Sequence, residues 1–224
     1  FLIGGAVVPP RDVAVDYFWL STHVSLDGVQ AMAFDVARTC TSIGVLQTYN
    51  AGLDNPVYKE IARKGTRICN SSAQAIAISE YTLAHVLSLV HPIDLQRAQQ
   101  RDKLWKPTPF REISQTNWLI IGFGPIGQEI AKRVKAFGAT TAVVRRAPAQ
   151  SPLADAMGTM SSLREFLPHA DVVVIACALN SETRGFADAG FFAALKPGAI
   201  LVNIARGALI DDAALLAALD QDRL

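Results

Sequence analysis

Residues 117–137 read NWLIIGFGPIGQEIAKRVKAF. The apolar run WLII predicts a buried strand. Beyond the turn, Ile126, Ile130, Val134 and Phe137 fall at helical spacing and predict a helix over residues 126–137. Between strand and helix lie Gly122, Phe123, Gly124, Pro125, Ile126 and Gly127, a match to G-x-G-x-x-G in the context that pattern requires. Gly122 permits a tight turn, Gly124 lets a pyrophosphate approach the backbone, and Gly127 allows the helix to pack closely on the strand. The amino end of the helix offers unpaired N–H groups and partial positive charge to phosphate. Pro125 suits a first helical position but has no N–H, so Ile126 and Gly127 carry more of that contact. The competing reading is a plain strand–helix turn that uses glycine for geometry alone.

Downstream, residues 142–148 read AVVRRAP. The second strand of such a unit ends about twenty residues after the glycines, where an acid accepts hydrogen bonds from the adenine ribose. Arg145 and Arg146 stand there instead. A carboxylate repels a 2′-phosphate, whereas a guanidinium attracts it and binds it in two-pronged fashion. NADP(H) is therefore the expected cofactor, with NAD(H) the alternative. Two solvated surface arginines remain the competing reading.

The same alternation extends in both directions. In the first half VDYFWLS, IGVLQTY and TRICN read as strands, and PVYKEIARKG as a helix closed by Gly65. A long helix over residues 75–91 ends at Pro92. The opening FLIGG is strand-like. After residue 117, TTAVV, DVVVIAC and AILVNIA are strands, and SLREFLPHA, FADAGFFAAL and residues 211–224 are helices. The strands are continuous apolar runs, as expected of a parallel sheet covered on both faces. The polar residues 92–116 are the expected domain crossover.

The chain has 224 residues, half of them apolar, and a formal net charge of +1. That balance gives no electrostatic case for nucleic acid or an anionic membrane surface. Cys40, Cys69 and Cys177 lie in apolar runs without metal-ligand spacing, so they read as reduced thiols, no metal is expected, and the cytoplasm is the expected compartment. Residues 73–90 are interrupted by Gln74, Glu80 and His85 and read as a buried helix, not a membrane span.

Three elements in order, GFGPIG, DVVVIACALNSETRG and GAILVNIARGALID, resemble the D-isomer-specific 2-hydroxyacid dehydrogenases, the group containing glyoxylate/hydroxypyruvate reductases and phosphoglycerate dehydrogenases. In the first half, QTYNAGLDNPVYKEIARKGTRICNSS and AIAISEYTLAHVL look like that family's substrate-domain loop and long helix. The resemblance implies an α/β protein in which a Rossmann-type doubly wound parallel sheet, residues 110–224, joins a flavodoxin-like substrate domain, residues 1–109. It implies an active site in the cleft between them, and a chain incomplete at both ends. It implies reduction of a small 2-oxo acid, glyoxylate or hydroxypyruvate in kind, to a D-2-hydroxy acid. Asn50, Ala51, Gly52 and Leu53 match the loop whose N–H groups hold the substrate carboxylate, and Arg206 matches the essential arginine. Cys177, Ala178 and Thr183, with the backbone of Ile204 and Ala205, match positions beside the cofactor, although Ala178, Leu179 and Asn180 replace the family's usual Pro-Leu-Thr. A homodimer is implied as well.

The chemistry of Arg206 agrees with that role. It follows a buried strand, at the end of the sheet where open α/β folds bind ligands. A 2-oxo acid offers a carboxylate and an adjacent carbonyl, two acceptors suited to a planar guanidinium. A structural salt bridge is the competing reading. Hydride transfer to a ketone also needs a proton donor. The resembled family uses a histidine paired with a glutamate, both beyond the arginine in sequence. None of His23, His85, His91 and His169 is expected at the carboxyl end of a nucleotide-domain strand, and Glu80 reads as a partner for nearby backbone, so the given residues lack both groups: either proton transfer is lost, or residues beyond Leu224 supply it, the reading that the abrupt ends favour. A non-catalytic dinucleotide sensor of the same fold is the alternative function.

Overall fold

The computed structural model describes residues 2–3, 6–147 and 149–224, with side chains from residue 6 onward. Phe1, Gly4 and Gly5 of FLIGG and Pro148 of AVVRRAP lie outside the described residues. By internal contacts the chain divides into two units, Phe1–Ala73 and Gln74–Leu224.

In the first unit, β1 (Leu2–Ile3) and β2 (Ala6–Val7) form a short antiparallel pair. The sheet proper is β3 (Ala14–Leu20), β4 (Ser42–Thr48) and β5 (Arg67–Cys69), parallel and in that order. Helices α1 (His23–Leu26) and α2 (Gln30–Thr39) link β3 to β4, and α3 (Pro56–Arg63) links β4 to β5. Asn55 caps α3 by accepting the Val57 N–H, Pro56 occupies its first turn, and Gly65 turns the chain out with φ +90°. The core gathers Leu20, Phe34, Ile43, Leu46, Tyr58 and Ile61, with the Phe34 and Tyr58 rings edge-on at 5.4 Å.

The second unit opens with α4 (Ala75–Val90). After the break at Pro92, α5 (Ile93–Arg101) departs at 62°. No single helix among the described residues is long and apolar enough to cross a membrane. The division at Ala73 follows packing, which joins α4 to the second unit. Leu83 and Val86 of α4 share a core with Ile130, Ala131 and Val134 of the helix after the glycine turn.

The sheet of this unit contains β6 (Asn117–Ile121), β7 (Thr140–Val144), β8 (Ala156–Gly158), β9 (Val172–Ile175) and β10 (Ile200–Asn203). All are parallel, in the order β10-β9-β6-β7-β8. Helices α6 (Pro125–Ala136), α7 (Leu163–Phe166), α8 (Ala189–Ala194) and α9 (Asp212–Asp220) connect or follow them. This is the doubly wound arrangement expected from the glycine turn.

The apolar runs feed two cores through the two-residue strand period. Leu119, Ile121, Val173 and Ile175 face one side with Phe191 and Phe192, while Trp118, Ile120, Val172 and Val174 face the other with Ile130 and Val134. Burying each such side chain stabilises the fold by about 1.5–3 kcal/mol. Several helices are shorter than their sequence patterns suggest: SLREFLPHA gives only α7 before a 3-10 turn over Leu167–His169. Asp188 accepts the Phe191 N–H and so starts α8 late, and α9 stops at Asp220 ahead of Asp222, whose φ is +51°.

At the amino edge of the sheet, Asp171 is buried with Arg111 at 2.9 Å and the Asn117 N–H at 2.8 Å, and it also pairs with Lys196. Burial acts to raise its pKa, but the hydrogen bonds from Arg111, Lys196 and the Asn117 amide outweigh it and hold the carboxyl below its ordinary range.

Candidate functional site

From β6 the chain winds first to β7 and β8 on one side, then crosses to β9 and β10 on the other. The crevice of such a sheet lies beyond the carboxyl ends of β6 and β9. The glycine turn sits there. The Gly122 N–H donates to Val144 O at 2.8 Å, and the Ala176 N–H donates to Ile121 O at 2.8 Å.

Each glycine of the motif has a separate reason. Gly122 has φ +104°, and a Cβ on it would lie 2.5 Å from the Cys177 nitrogen. A Cβ on Gly127 would lie 2.2 Å from Gly122 O, so the helix is pressed onto the turn. A Cβ on Gly124 would meet nothing within 4 Å, which leaves open space in front of the helix. Gly124 caps α6 without any side-chain bond, and Pro125 fills the first turn. The Ile126 and Gly127 N–H groups therefore face outward with the positive end of the helix dipole, and Gln128 steadies the turn by donating Nε2 to Phe123 O at 3.1 Å. A cradle with open space and free donors fits the pyrophosphate of a dinucleotide.

Arg145 follows the last residue of β7, and its N–H donates to Gly158 O at 3.0 Å, so its backbone is part of the sheet edge. Its side chain is half-buried and that of Arg146 is exposed. Among the described residues, no carboxylate or other side chain pairs with either guanidinium. The two charges are available to an external anion.

After β9 the chain passes Cys177 and Ala178 into a turn. Burial pushes the Cys177 thiol up to about 11, so it is a neutral packing group, not a nucleophile. Thr183 Oγ1 donates to Ala178 O at 2.8 Å and accepts the Asn180 N–H at 2.9 Å. Asn180 Oδ1 in turn accepts the N–H groups of Glu182 at 2.8 Å and Thr183 at 3.0 Å. Asn180, which replaces the threonine of the resembled pattern, thus holds this turn together with Thr183.

β10 ends at Asn203, and Arg206 lies three residues on, exposed and extended at φ −144° and ψ 140°. Its Nη1 donates to Ala205 O at 2.8 Å. The Ile204 N–H is spent on Ile175 O at 3.2 Å and the Ala205 N–H on Asn203 Oδ1 at 3.0 Å. Of the backbone expected beside a cofactor here, the Ile204 carbonyl is the group left unpaired among the described residues. Sequence reasoning missed Asn203, whose only signal is its place inside VNIARG.

In the first unit, Asn50, Ala51, Gly52 and Leu53 follow β4. Asn50 Nδ2 donates to the Tyr58 hydroxyl at 3.0 Å, and that hydroxyl meets Thr48 Oγ1 at 2.9 Å, with Thr48 fully buried. Asn50 O accepts from the Ser71 N–H at 3.0 Å, and Ala51 O accepts from Asn70 Nδ2 at 2.8 Å. With these carbonyls tied back, the N–H groups of Ala51, Gly52 and Leu53 have no acceptor among the described residues. Such a row of amides suits a carboxylate oxygen.

His85 lies against Tyr81 at 4.2 Å and His91 stacks on Phe110 at 4.5 Å. His23 begins α1, and His169 precedes β9 at the amino edge. Glu80 pairs with Arg133 at 3.4 Å. No cluster of three metal-ligating side chains occurs among the described residues.

Along one carboxyl edge, β6, β7 and β10 thus present the glycine turn, an arginine pair with no partner among the described residues, and the Arg206 loop. Fold and site together define a dinucleotide-binding protein of the doubly wound class. The family model for the NAD binding domain of the D-isomer specific 2-hydroxyacid dehydrogenases matches residues 83–224, and the chain belongs to that family. It is 30% identical over 189 residues to a D-3-phosphoglycerate dehydrogenase of Bacillus subtilis, covering 83% of this chain and 36% of that protein. It is 33% identical over 186 residues to the one of Mycobacterium tuberculosis, covering 81% and 35%. The fold matches, at TM-score 0.77 and 22% identity, the crystal structure of an NADPH-dependent glyoxylate/hydroxypyruvate reductase from Sinorhizobium meliloti in complex with NADP and sulfate, covering 93% of this chain and 65% of that one. The chain spans little more than a third of the length of these curated relatives.

Proposed function

We propose that the protein is an NADPH-preferring reductase that converts a small 2-oxo acid, of the glyoxylate or hydroxypyruvate kind, into a D-2-hydroxy acid. The observation that carries this reading is the placement of Arg206 and the glycine turn on the same carboxyl edge of one parallel sheet. Bound at that edge, the dinucleotide supplies a hydride. The Ile126 and Gly127 amides hold its pyrophosphate, and Arg145 with Arg146 takes the 2′-phosphate. Hydrogen bonds to charged groups are worth about 1.5–3 kcal/mol each, so the pair favours NADPH over NADH by roughly ten- to several-hundredfold.

Arg206 grips the substrate carboxylate and polarises the neighbouring carbonyl, so that charge developing on its oxygen meets a fixed cation. The guanidinium of Arg206 donates hydrogen bonds to the developing alkoxide, and the proton that completes the hydroxy acid comes from another donor. The homodimer implied by the family resemblance, and the cytoplasmic location suggested by the cysteine usage, belong to the same proposal.

The test is loss of NADPH absorbance with a panel of glyoxylate, hydroxypyruvate, pyruvate and phosphohydroxypyruvate. Turnover of the small 2-oxo acids, lost by about a thousandfold in Arg206→Ala, is expected. Preference for the phosphorylated substrate would move the assignment toward the activity named for the two bacterial relatives. Tight NADPH binding with no turnover of any of them would favour a dinucleotide sensor.

A further inference from the structure

Asn203 closes β10, and both ends of its carboxamide are spent on the turn that follows. Oδ1 accepts the Ala205 N–H at 3.0 Å, and Nδ2 donates to the Arg206 carbonyl at 2.9 Å. The sheet holds the backbone as far as the Ile204 N–H, which donates to Ile175 O. The carboxamide therefore takes over where the strand pairing stops. It fixes the peptide before the Ala205–Arg206 link through its N–H and, together with the Leu209 N–H at 3.2 Å, the peptide after that link through its carbonyl. The link between them is bracketed, and its own carbonyl, Ala205 O, is the acceptor onto which Arg206 Nη1 folds at 2.8 Å.

We propose that Asn203 is the positioning residue for Arg206, setting the direction of its guanidinium through the bracketed peptide; this rests on the role given to Arg206 under the proposed function. The chemistry favours asparagine over its neighbours in size. Aspartate retains the acceptor for Ala205 but offers Arg206 O no donor, and it brings an anion beside the guanidinium that competes with a substrate carboxylate. Alanine supplies neither contact. Serine is too short to span from one side of the turn to the other.

The test compares wild type, Asn203→Ala, Asn203→Asp, Arg206→Ala and the Asn203→Ala/Arg206→Ala double variant. NADPH affinity is read by fluorescence, oxalate affinity by titration into the NADPH complex, and folding by thermal melting. Both Asn203 variants should hold NADPH within about threefold of wild type and weaken oxalate by about tenfold or more. The double variant should bind oxalate no more weakly than Arg206→Ala alone, because a residue acting through Arg206 has nothing left to position. If Asn203→Ala does not fold, Asn203→Asp, which retains the Ala205 contact, carries the comparison with Arg206→Ala.

Unchanged oxalate affinity in the Asn203 variants, alongside a loss in Arg206→Ala, overturns the positioning role and leaves the proposed function standing. Additive losses in the double variant, or equal losses of NADPH and oxalate, also overturn it. Full oxalate affinity in Arg206→Ala removes the role given to Arg206 itself, and the inference falls with it.

Discussion

A Cβ on Gly127 would lie 2.2 Å from the carbonyl oxygen of Gly122, so the first turn of α6 touches the glycine turn backbone to backbone. Alanine normally favours a helix over glycine by about 1 kcal/mol, but here it forces the helix off the turn, at a cost of roughly 1–3 kcal/mol or more. Gly127→Ala should therefore melt earlier and bind dinucleotide poorly. Gly124→Ala, at φ −74° with nothing within 4 Å, should melt like wild type and still lose dinucleotide affinity. Thermal melts with NADPH titrations separate the two. Equal melting losses would mean that the space before Gly124 is not where the ligand approaches.

Asp171 gives a prediction in pH. Its folded pKa lies below the ordinary carboxylate value of about 3.9. The stabilisation is therefore fully present above about pH 4 and is lost as the pH falls through the lower folded value. Asp171→Asn removes the charge from a buried acceptor of Arg111 and Lys196, both of which are half exposed and partly screened. A loss of about 2 kcal/mol, or roughly 4–8 °C in melting temperature, is expected at neutral pH. The gap between variant and wild type should narrow below pH 4, and a gap constant with pH would contradict the assignment.

Cys177 should be slow to alkylate. With its thiol pushed up to about 11 by burial, the thiolate fraction near pH 8 falls on the order of a hundredfold below that of a free cysteine. Mass spectrometry after iodoacetamide treatment measures this site by site. Rapid labelling of Cys177 in the folded protein would show that the pocket around it is open.

The legible parts of this chain are those where one physical signal dominates. β6, β7, β9 and β10 are continuous apolar runs, and the glycine turn lies between an apolar strand and a periodic helix. Helix α5, IDLQRAQQR, buries no residue and resembles a linker by composition, yet its Leu, Gln, Arg and Ala are good helix formers. α2 starts at Gln30, and its N-cap Val29 makes no side-chain bond, so no boundary signal marked it. β8 is three residues long, too short for a period to show. In the site, the residue types at the sheet edge could be read in advance, but not what holds them. An asparagine at a strand end looks like an ordinary turn residue until both arms of Asn203 are seen in use. Likewise, whether Arg145 and Arg146 have acidic partners depends on residues distant in sequence.

That last point bears on the central proposal, that an arginine pair without a partner among the described residues selects the phosphorylated cofactor. The direct measurement is the ratio of NADPH to NADH dissociation constants in wild type and in Arg145→Asp/Arg146→Ala. Wild type should favour NADPH by about tenfold or more, and the variant should lose that preference, by roughly ten- to several-hundredfold, through NADPH alone. Equal weakening of both cofactors, or an unchanged ratio, would show that the two arginines serve the surface and not the ligand.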